Sequence, residues 1–510
     1  MTLQATRPDL ARYAEEIADI AREAGLDFYE TRFEHVDFDT MQQIAAYGGF
    51  PQRYPHWRFG MEYERLRKQH VYGLGKIYEM VINNDPCYAY LVMDNADVDQ
   101  KLVMAHVYAH CDFFKNNYWF SKTNRKMMDE MANHATRIRR HVDRFGLEKV
   151  EKFVDTCVSL DNLIDPHGAF MRRTPNEIEQ TDISSDRAVE KDVVRYKSKP
   201  YMENWINPPA DTRQQRKKLI AAKEQKKKVL PEQPLRDVLR FMLDYAPLED
   251  WEADILSIIR EESYYFSPQA QTKIMNEGWA TFWHSRLMTT HILGDDELIT
   301  YADHHSGTVA MGPGQMNPYK IGVELFRDIE DRWNRGRFGK EYEECESIDE
   351  VRQWDKKLGL GLDKIFEVRR IYNDVTFIDE FLTPEFVDRF NLYHYRMDPT
   401  TGKMVVVNRD FDKIKAQFLF MLTNNTQPYL YVVDGNYANR GELYIAHKHN
   451  GLDLDIKYAV ETLKNVQRVW GRPVHLQAVI NEETVLFSCD GEQSQQQKIN
   501  DDLPKPAHTL

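Results

Sequence analysis

Cysteine is scarce and scattered in this 510-residue chain. Its five cysteines (Cys87, Cys111, Cys157, Cys345, Cys489) form no C-x-x-C pair and are odd in number. That argues against a disulfide framework or a cysteine zinc finger and fits a reducing compartment. Long apolar runs are lacking as well: none approaches the roughly 18 residues that a membrane-spanning helix needs. The opening stretch MTLQATRPDLARYAEEIADIAREAG is acidic within its first 20 residues and has no apolar core. No secretory signal is therefore expected, and the cytoplasm is the expected location. Nor is there an excess of positive charge. A net charge of −14 disfavours nucleic acid and anionic membrane surfaces as partners. Internal repeats are absent.

What is present is the composition of a folded protein, 42% hydrophobic and 29% charged, long enough for two or three domains. Residues 8–25 repeat apolar positions at helical spacing and stop at Gly25. A polar and aromatic stretch follows, containing Tyr54-Pro55-His56-Trp57. Residues 78–82 and 87–93 are apolar or aromatic runs separated by Asn83-Asn84-Asp85-Pro86, which predicts a hairpin. A helix is expected from Asp97, where Asp97 and Gln100 resemble a capping box, to about Lys115. Helical pattern also fills 122–164 and 235–292, with Ser267-Pro268 as a start signal within the latter. Between them, residues 213–228 carry eight Lys or Arg against one Glu, a basic linker or solvated helix reaching to 231.

After residue 400 the pattern changes. Strands near 404–407, 428–433, 441–447, 473–479 and 483–488 interleave with helices at 410–422 and 454–468, an order that suggests a ferredoxin-like domain. The expected fold is a mainly α N-terminal body over 1–395 with a short β hairpin or edge strand of zincin-like kind. A small α+β ferredoxin-like C-terminal domain over 401–490 and a flexible tail over 491–510 complete it.

The chemistry concentrates in two segments. His106 and His110 stand at i and i+4, so on a helix both rings reach one point. With 17 histidines in 510 residues, chance yields roughly 0.6 such pairs, so spacing alone leaves two readings open: metal ligands, or core histidines bonded to backbone or carboxylate. The hairpin before the pair and Glu277 on a later apolar helix favour the metal, because a lone buried carboxylate is costly unless paired or ligated. A Glu facing solvent is the alternative. Gly278 beside it suggests close approach of another element. The candidate ligands are His106, His110 and Glu277, holding one divalent ion, with zinc the first choice.

His284 lies seven residues, about 10.5 Å, beyond Glu277 along the helix, too far to share that ion. It is expected beside the site. His305 and Tyr319, flanking the Gly312-Pro313-Gly314 stretch, and Glu79 are the other candidates for proton transfer or oxyanion contact. What is missing is the general base of the H-E-x-x-H helix: Val107 occupies its position, and Asp112, turned about 240° from His106, points elsewhere.

The segments YPHW (54–57), YEMVINNDPCYAYLV (78–92), MAHVYAHCDFFKNN (104–117), NEGWATFWH (276–284) and NPYKIG (317–322) resemble the SpoVR (stage V sporulation protein R) family over most of the chain. Ala109 departs from the family's H-V-Y-G-H pattern; a methyl there tightens helix packing without removing a ligand. The resemblance implies a bacterial intracellular protein, linked to spore cortex formation in spore formers and to stress or stationary phase elsewhere. It also implies protein partners, a PrkA-type serine kinase and a von Willebrand-like protein, and no established reaction. NEGWA further resembles the third-ligand helix of some zinc peptidases. Two functions from different classes follow: a metal-dependent, peptidase-like hydrolase, or a non-enzymatic regulator with a structural or metal-sensing core. A nucleic-acid binder acting through 213–228 is a third, disfavoured by the overall charge.

Overall fold

The computed structural model describes residues 8–71, 79–171 and 230–499, with isolated positions between 202 and 218. In chain order the principal elements are α1 (Pro8–Glu23), β1 (Thr31–Val36), α2 (Phe38–Ala46), α3 (Trp57–Val71), β2 (Glu79–Ile82), β3 (Cys87–Val92), α4 (Asp97–Asn116), α5 (Met127–Phe145) and α6 (Leu147–Val158). They continue with α7 (Val238–Tyr245), α8 (Asp250–Gln271), α9 (Lys273–Leu287), α10 (Leu298–Thr308), α11 (Pro318–Arg335), α12 (Gly361–Ile371), α13 (Asp374–Phe381), β4 (His394–Met397), β5 (Met404–Asn408) and α14 (Phe411–Leu422). The C-terminal part holds β6 (Tyr429–Tyr437), β7 (Glu442–Lys448), α15 (Ile456–Trp470), β8 (Val474–Ile480), β9 (Glu483–Cys489) and β10 (Ser494–Lys498). Among the described residues, no helix is long and apolar enough to cross a membrane.

Two compact units form, Met1–Glu151 with Tyr264–Thr426, and Lys152–Ser263 with Gln427–Leu510. In the first, the expected hairpin is present: β2 pairs antiparallel with β3. A strand not anticipated, β1, pairs parallel with the other edge of β3. Side chains on β3 alternate as a strand requires. Cys87, Ala89 and Leu91 enter the large core shared with α4 and α9, while Tyr90 and Val92 join Met41, Phe50 and Met131 on the opposite face. The central helices α4 and α9 are buried on nearly every side, so neither shows an amphipathic stripe.

Two helix starts differ from expectation. Ala96, not Asp97, caps α4 and makes no side-chain cap bond. Gln100 instead donates from Nε2 to Val92 O at 2.7 Å, tying the helix to the end of β3. Pro268 lies inside α8, and the break falls at Thr272, whose hydroxyl turns back to Pro268 O at 2.7 Å. The bare N-terminus of α9 is capped from another helix: Asp374 accepts from Ile274 N and Met275 N at 2.8 and 2.9 Å, satisfying two orphan donors.

The second unit carries a five-stranded sheet in the order β10-β9-β8-β7-β6. It is α+β, but not the ferredoxin-like order. The strand expected first, β5, pairs with β4 in a separate ribbon, and Ile414 of α14 joins the core of the first unit. Residues Met404–Val407 are exposed, so no burial pattern marked their partner. The single crossover helix, α15, links the parallel pair β7 and β8 and buries Leu463, Val466 and Trp470. Ser494–Lys498, part of the stretch expected to be loose, adds an edge strand whose side chains are all exposed. The basic stretch 213–228 lies outside the described residues apart from isolated positions.

The crossing of α9 and α11 depends on two glycines. A Cβ on Gly278 would stand 2.4 Å from Gly322 C and Cα, and one on Gly322 would stand 2.2 Å from Ile274 O. Only backbone fits there, as Gly278 suggested. Gly278→Ala must push the helices apart, and overpacking of this kind costs about 1–3 kcal/mol. We expect a matching drop in the urea midpoint, and an unchanged midpoint would mean that the helices do not meet at this point.

Candidate metal centre

Because α4 is helical through 106–110, His106 and His110 lie one turn apart with ring centroids 4.5 Å apart. Glu277 reaches them from α9: its Oε2 is 3.5 Å from His106 Nε2 and 3.6 Å from His110 Nε2. All three side chains are buried, and their ligating atoms lie within 4.8 Å of one another. These separations are long for hydrogen bonds. They suit a shared cation, since tetrahedral ligands at about 2.0–2.2 Å from zinc stand about 3.3–3.5 Å apart. Glu277 Oε2 is buried without a hydrogen-bond partner, a costly arrangement that a bound cation would resolve.

The electrostatics give each donor the protonation state that ligation needs. Burial pushes the Glu277 carboxyl up, but the neighbouring His106, His110 and Lys273 together outweigh it and hold the group well below the carboxylate range. Burial, reinforced by His106, lowers His110 to about 4. An ionised carboxylate and a neutral imidazole follow at neutral pH. Lys273, one turn before Glu277, places Nζ 2.5 Å from Oε1, leaving Oε2 to the histidines.

Both imidazoles are oriented through their other nitrogen. His110 Nδ1 stands 2.9 Å from Asn276 Oδ1, which fixes Nδ1 as donor and Nε2 as lone pair. His106 Nδ1 is 2.8 Å from His284 Nδ1, and His284 Nε2 is 3.1 Å from His305 Nδ1. One tautomer set satisfies the whole chain. His106 donates from Nδ1 to His284, and His284 donates from Nε2 to His305, leaving the His106 Nε2 lone pair toward Glu277. Burial, with His106 and His305 adding to it, keeps His284 neutral, its pKa well below the usual range.

The sequence candidates are thus brought together unevenly. His284 abuts His106 as a neighbour rather than a ligand, in keeping with its distance along the helix. His305, half-buried on α10, ends the chain, with Tyr301 stacked at 5.6 Å. Tyr319 opens α11 beneath the Asn317 cap and stacks on the His106 ring at 6.2 Å between centroids. Glu79 begins β2 opposite Leu91, and its side chain lies outside the described residues. Asp112 points away, as its angle requires: it accepts from Asp27 N and Trp279 Nε1, both at 2.8 Å, and faces Arg369 at 3.5 Å. Sequence reading missed Asn276 and Lys273. Their signals were present: an amide adjoining the ligand Glu277, and a lysine at i−4 from it.

Two family models match the chain. One described as SpoVR like protein covers residues 4–427, and one described as SpoVR-like C-terminal domain covers 428–481. The junction falls one residue past the Thr426–Gln427 boundary between the units, while the first model also takes in Lys152–Ser263 of the second unit. Among curated proteins, the chain is 30% identical over 495 residues to the uncharacterized protein YcgB of Escherichia coli (strain K12), with 91% of each chain covered. No solved structure matches.

The lowered His110 pKa has a stability signature. Unfolded, the imidazole takes up a proton near pH 6.5; folded, not until about 4. The unfolded state therefore binds more protons in that window, and stability falls as pH drops through 6.5, by about 2 kcal/mol at pH 5 from this residue. Urea midpoints of chelator-treated protein should fall between pH 7 and pH 5, and His110→Gln should shrink the fall. Parallel profiles for the two proteins would rule out a buried neutral His110.

Proposed function

This chain belongs to the SpoVR family, and we propose that its first unit is a metal-dependent hydrolase of zincin-like arrangement. A hairpin precedes the helix bearing the histidine pair, and a glutamate from a later helix closes the site. One observation carries the reading: the buried, unpartnered Oε2 of Glu277, at ligand-to-ligand distance from two histidine nitrogens. His106, His110 and Glu277 would hold one zinc ion. When bound, it supplies a Lewis acid that polarises a carbonyl and lowers the pKa of water toward neutrality.

Three ligands from described residues favour catalysis over a structural role, since structural zinc sites close with four protein ligands. The chain's own residues perform the remaining tasks. Asn276 and His284 keep the lone pairs of His110 and His106 aimed at the site. Lys273 offsets the Glu277 charge, so the site retains the full electrophilic pull of the ion. Its side chain is 56% exposed while Nζ touches Oε1, which brings solvent within one side chain of the ligands. Val107 moves no proton, so His305 and Tyr319 are the groups offered for proton transfer and oxyanion contact. The alternative, a regulator with a metal-sensing core, is favoured by the burial of all three ligands. The partners that the family resemblance implies, a PrkA-type kinase and a von Willebrand-like protein, fit either reading and are proposed on that resemblance alone.

Metal analysis separates the possibilities. Protein purified without chelator or nickel resin should carry about one equivalent of zinc. The folded His106→Ala/His110→Ala variant should carry none, and the loaded protein should cleave an amide or ester in a substrate screen. Metal-free wild type that does not take up added zinc would sink the reading. Zinc tightly bound with no turnover would leave the sensing core.

A further inference from the structure

We propose a second ligand site in the first unit: a pocket for an organic cation, formed where the YPHW segment meets the start of α2. It is a cavity of about 500 Å³, within the range of small-molecule pockets. Tyr47, Tyr54, Phe59 and Tyr63 supply its walls, Asp37 and Asp39 its charge. No lysine or arginine lines it. His56 lines it too, its Nδ1 accepting from Arg58 N at 3.3 Å; a concave space with two carboxylates, π faces and neither lysine nor arginine selects an alkylammonium or guanidinium group, which gains from both kinds of contact.

The walls are built rather than incidental. Tyr47 and Tyr54 meet Phe59 edge-on at 5.4 and 5.5 Å. From within the protein the Arg53 guanidinium lies 5.2 Å from the Tyr54 ring and 5.1 Å from that of Phe59. Asp37 is held by its cap bond to Thr40 N at 2.7 Å, which pulls its carboxyl below the usual range, so the charge persists at any pH the protein meets.

Gly60, exposed at the surface, leaves the mouth of the cavity open. It lines the cavity on the first turn of α3, and a Cβ there would meet nothing within 4 Å. Its backbone lies outside the left-handed region. Neither packing nor conformation calls for glycine, which costs about 1 kcal/mol in a helix relative to alanine.

The test is calorimetric titration of the full chain with 1,5-diaminopentane, for a free amine, and with N-acetyl-lysine amide, for a lysine side chain of a partner. 1-Pentanol serves as the uncharged control. Binding of at least one amine, with pentanol silent, is expected; which amine binds more tightly tells the source. Gly60→Leu should fill the pocket and weaken binding by about tenfold or more while leaving the melting temperature equal or higher. Asp37→Asn/Asp39→Asn, which preserves the helix cap, should weaken it similarly. No heat from either amine at about 10 mM, a concentration far above any specific Kd, would overturn the proposal. So would unaltered binding by both variants. Because the pocket and the His106 site are separate, loss of zinc in His106→Ala/His110→Ala should leave amine affinity unchanged.

Discussion

A helix buried on every side obliges each polar group it carries to find a partner inside the protein. That constraint governs α9 and, through it, the first unit. From Ile274 to Ser285 every residue is buried. Its N-terminal amides are taken by Asp374, its Trp279 indole by Asp112, its Asn276 by His110 and its His284 by two other histidines. These obligations reach three elements, so α9 is tied to α4, α10 and α13 by polar contacts of high cost if broken. The Gly278–Gly322 crossing then brings α11, and with it Tyr319, against the same helix. Thr281 Oγ1, Trp283 Nε1 and Glu277 Oε2 are buried without a hydrogen-bond partner, and of the three Glu277 Oε2 is the one that faces two histidine nitrogens.

Charge is arranged on two sides of the α4–α9 interface. On one, Asp112 and Arg369 form a buried pair, with burial raising the Asp112 pKa to about 6 against the pull of Arg369. The guanidinium also lies 5.4 Å from the Trp279 ring. Such pairs add little net stability but are expensive to break, so this one acts as a register mark between helices. On the other side stand the histidines and Glu277, where Lys273 is the one lysine or arginine among the described residues paired with Glu277. The same α4 helix thus separates a structural carboxylate from the candidate ligands, six residues and about 240° apart.

Much of this was legible because it is local. The i,i+4 pair, the hairpin before it and the apolar setting of Glu277 are all properties of short windows, and Gly278 announced a close approach that the α11 crossing explains. What was not legible depends on pairing at long range. The strand β1 has no turn signal linking it to β3, more than fifty residues on, and parallel pairing leaves none. β5 and α14 have the right periodicities for a ferredoxin-like domain, yet periodicity names an element and not its neighbour. Pro268 misled for a related reason: α8 carries it in its last turn, forgoing one i→i−4 hydrogen bond, and a serine–proline pair does not say which helix it belongs to.

The histidine chain bears on how a site without the H-E-x-x-H base handles protons. His284 has both nitrogens engaged, one by His106 and one by His305, so it can orient its neighbours but presents no free atom to a substrate. His305 is different: its Nδ1 is occupied and its ring is only half-buried, beside Tyr301. Burial, with Arg327 and Lys320 adding to it, lowers its pKa from the ordinary value; with Nδ1 accepting from His284, the neutral ring carries its proton on Nε2, where it can donate. A proton donor on α10 rather than on the ligand helix leaves position 107 to packing, and Val107 is fully buried.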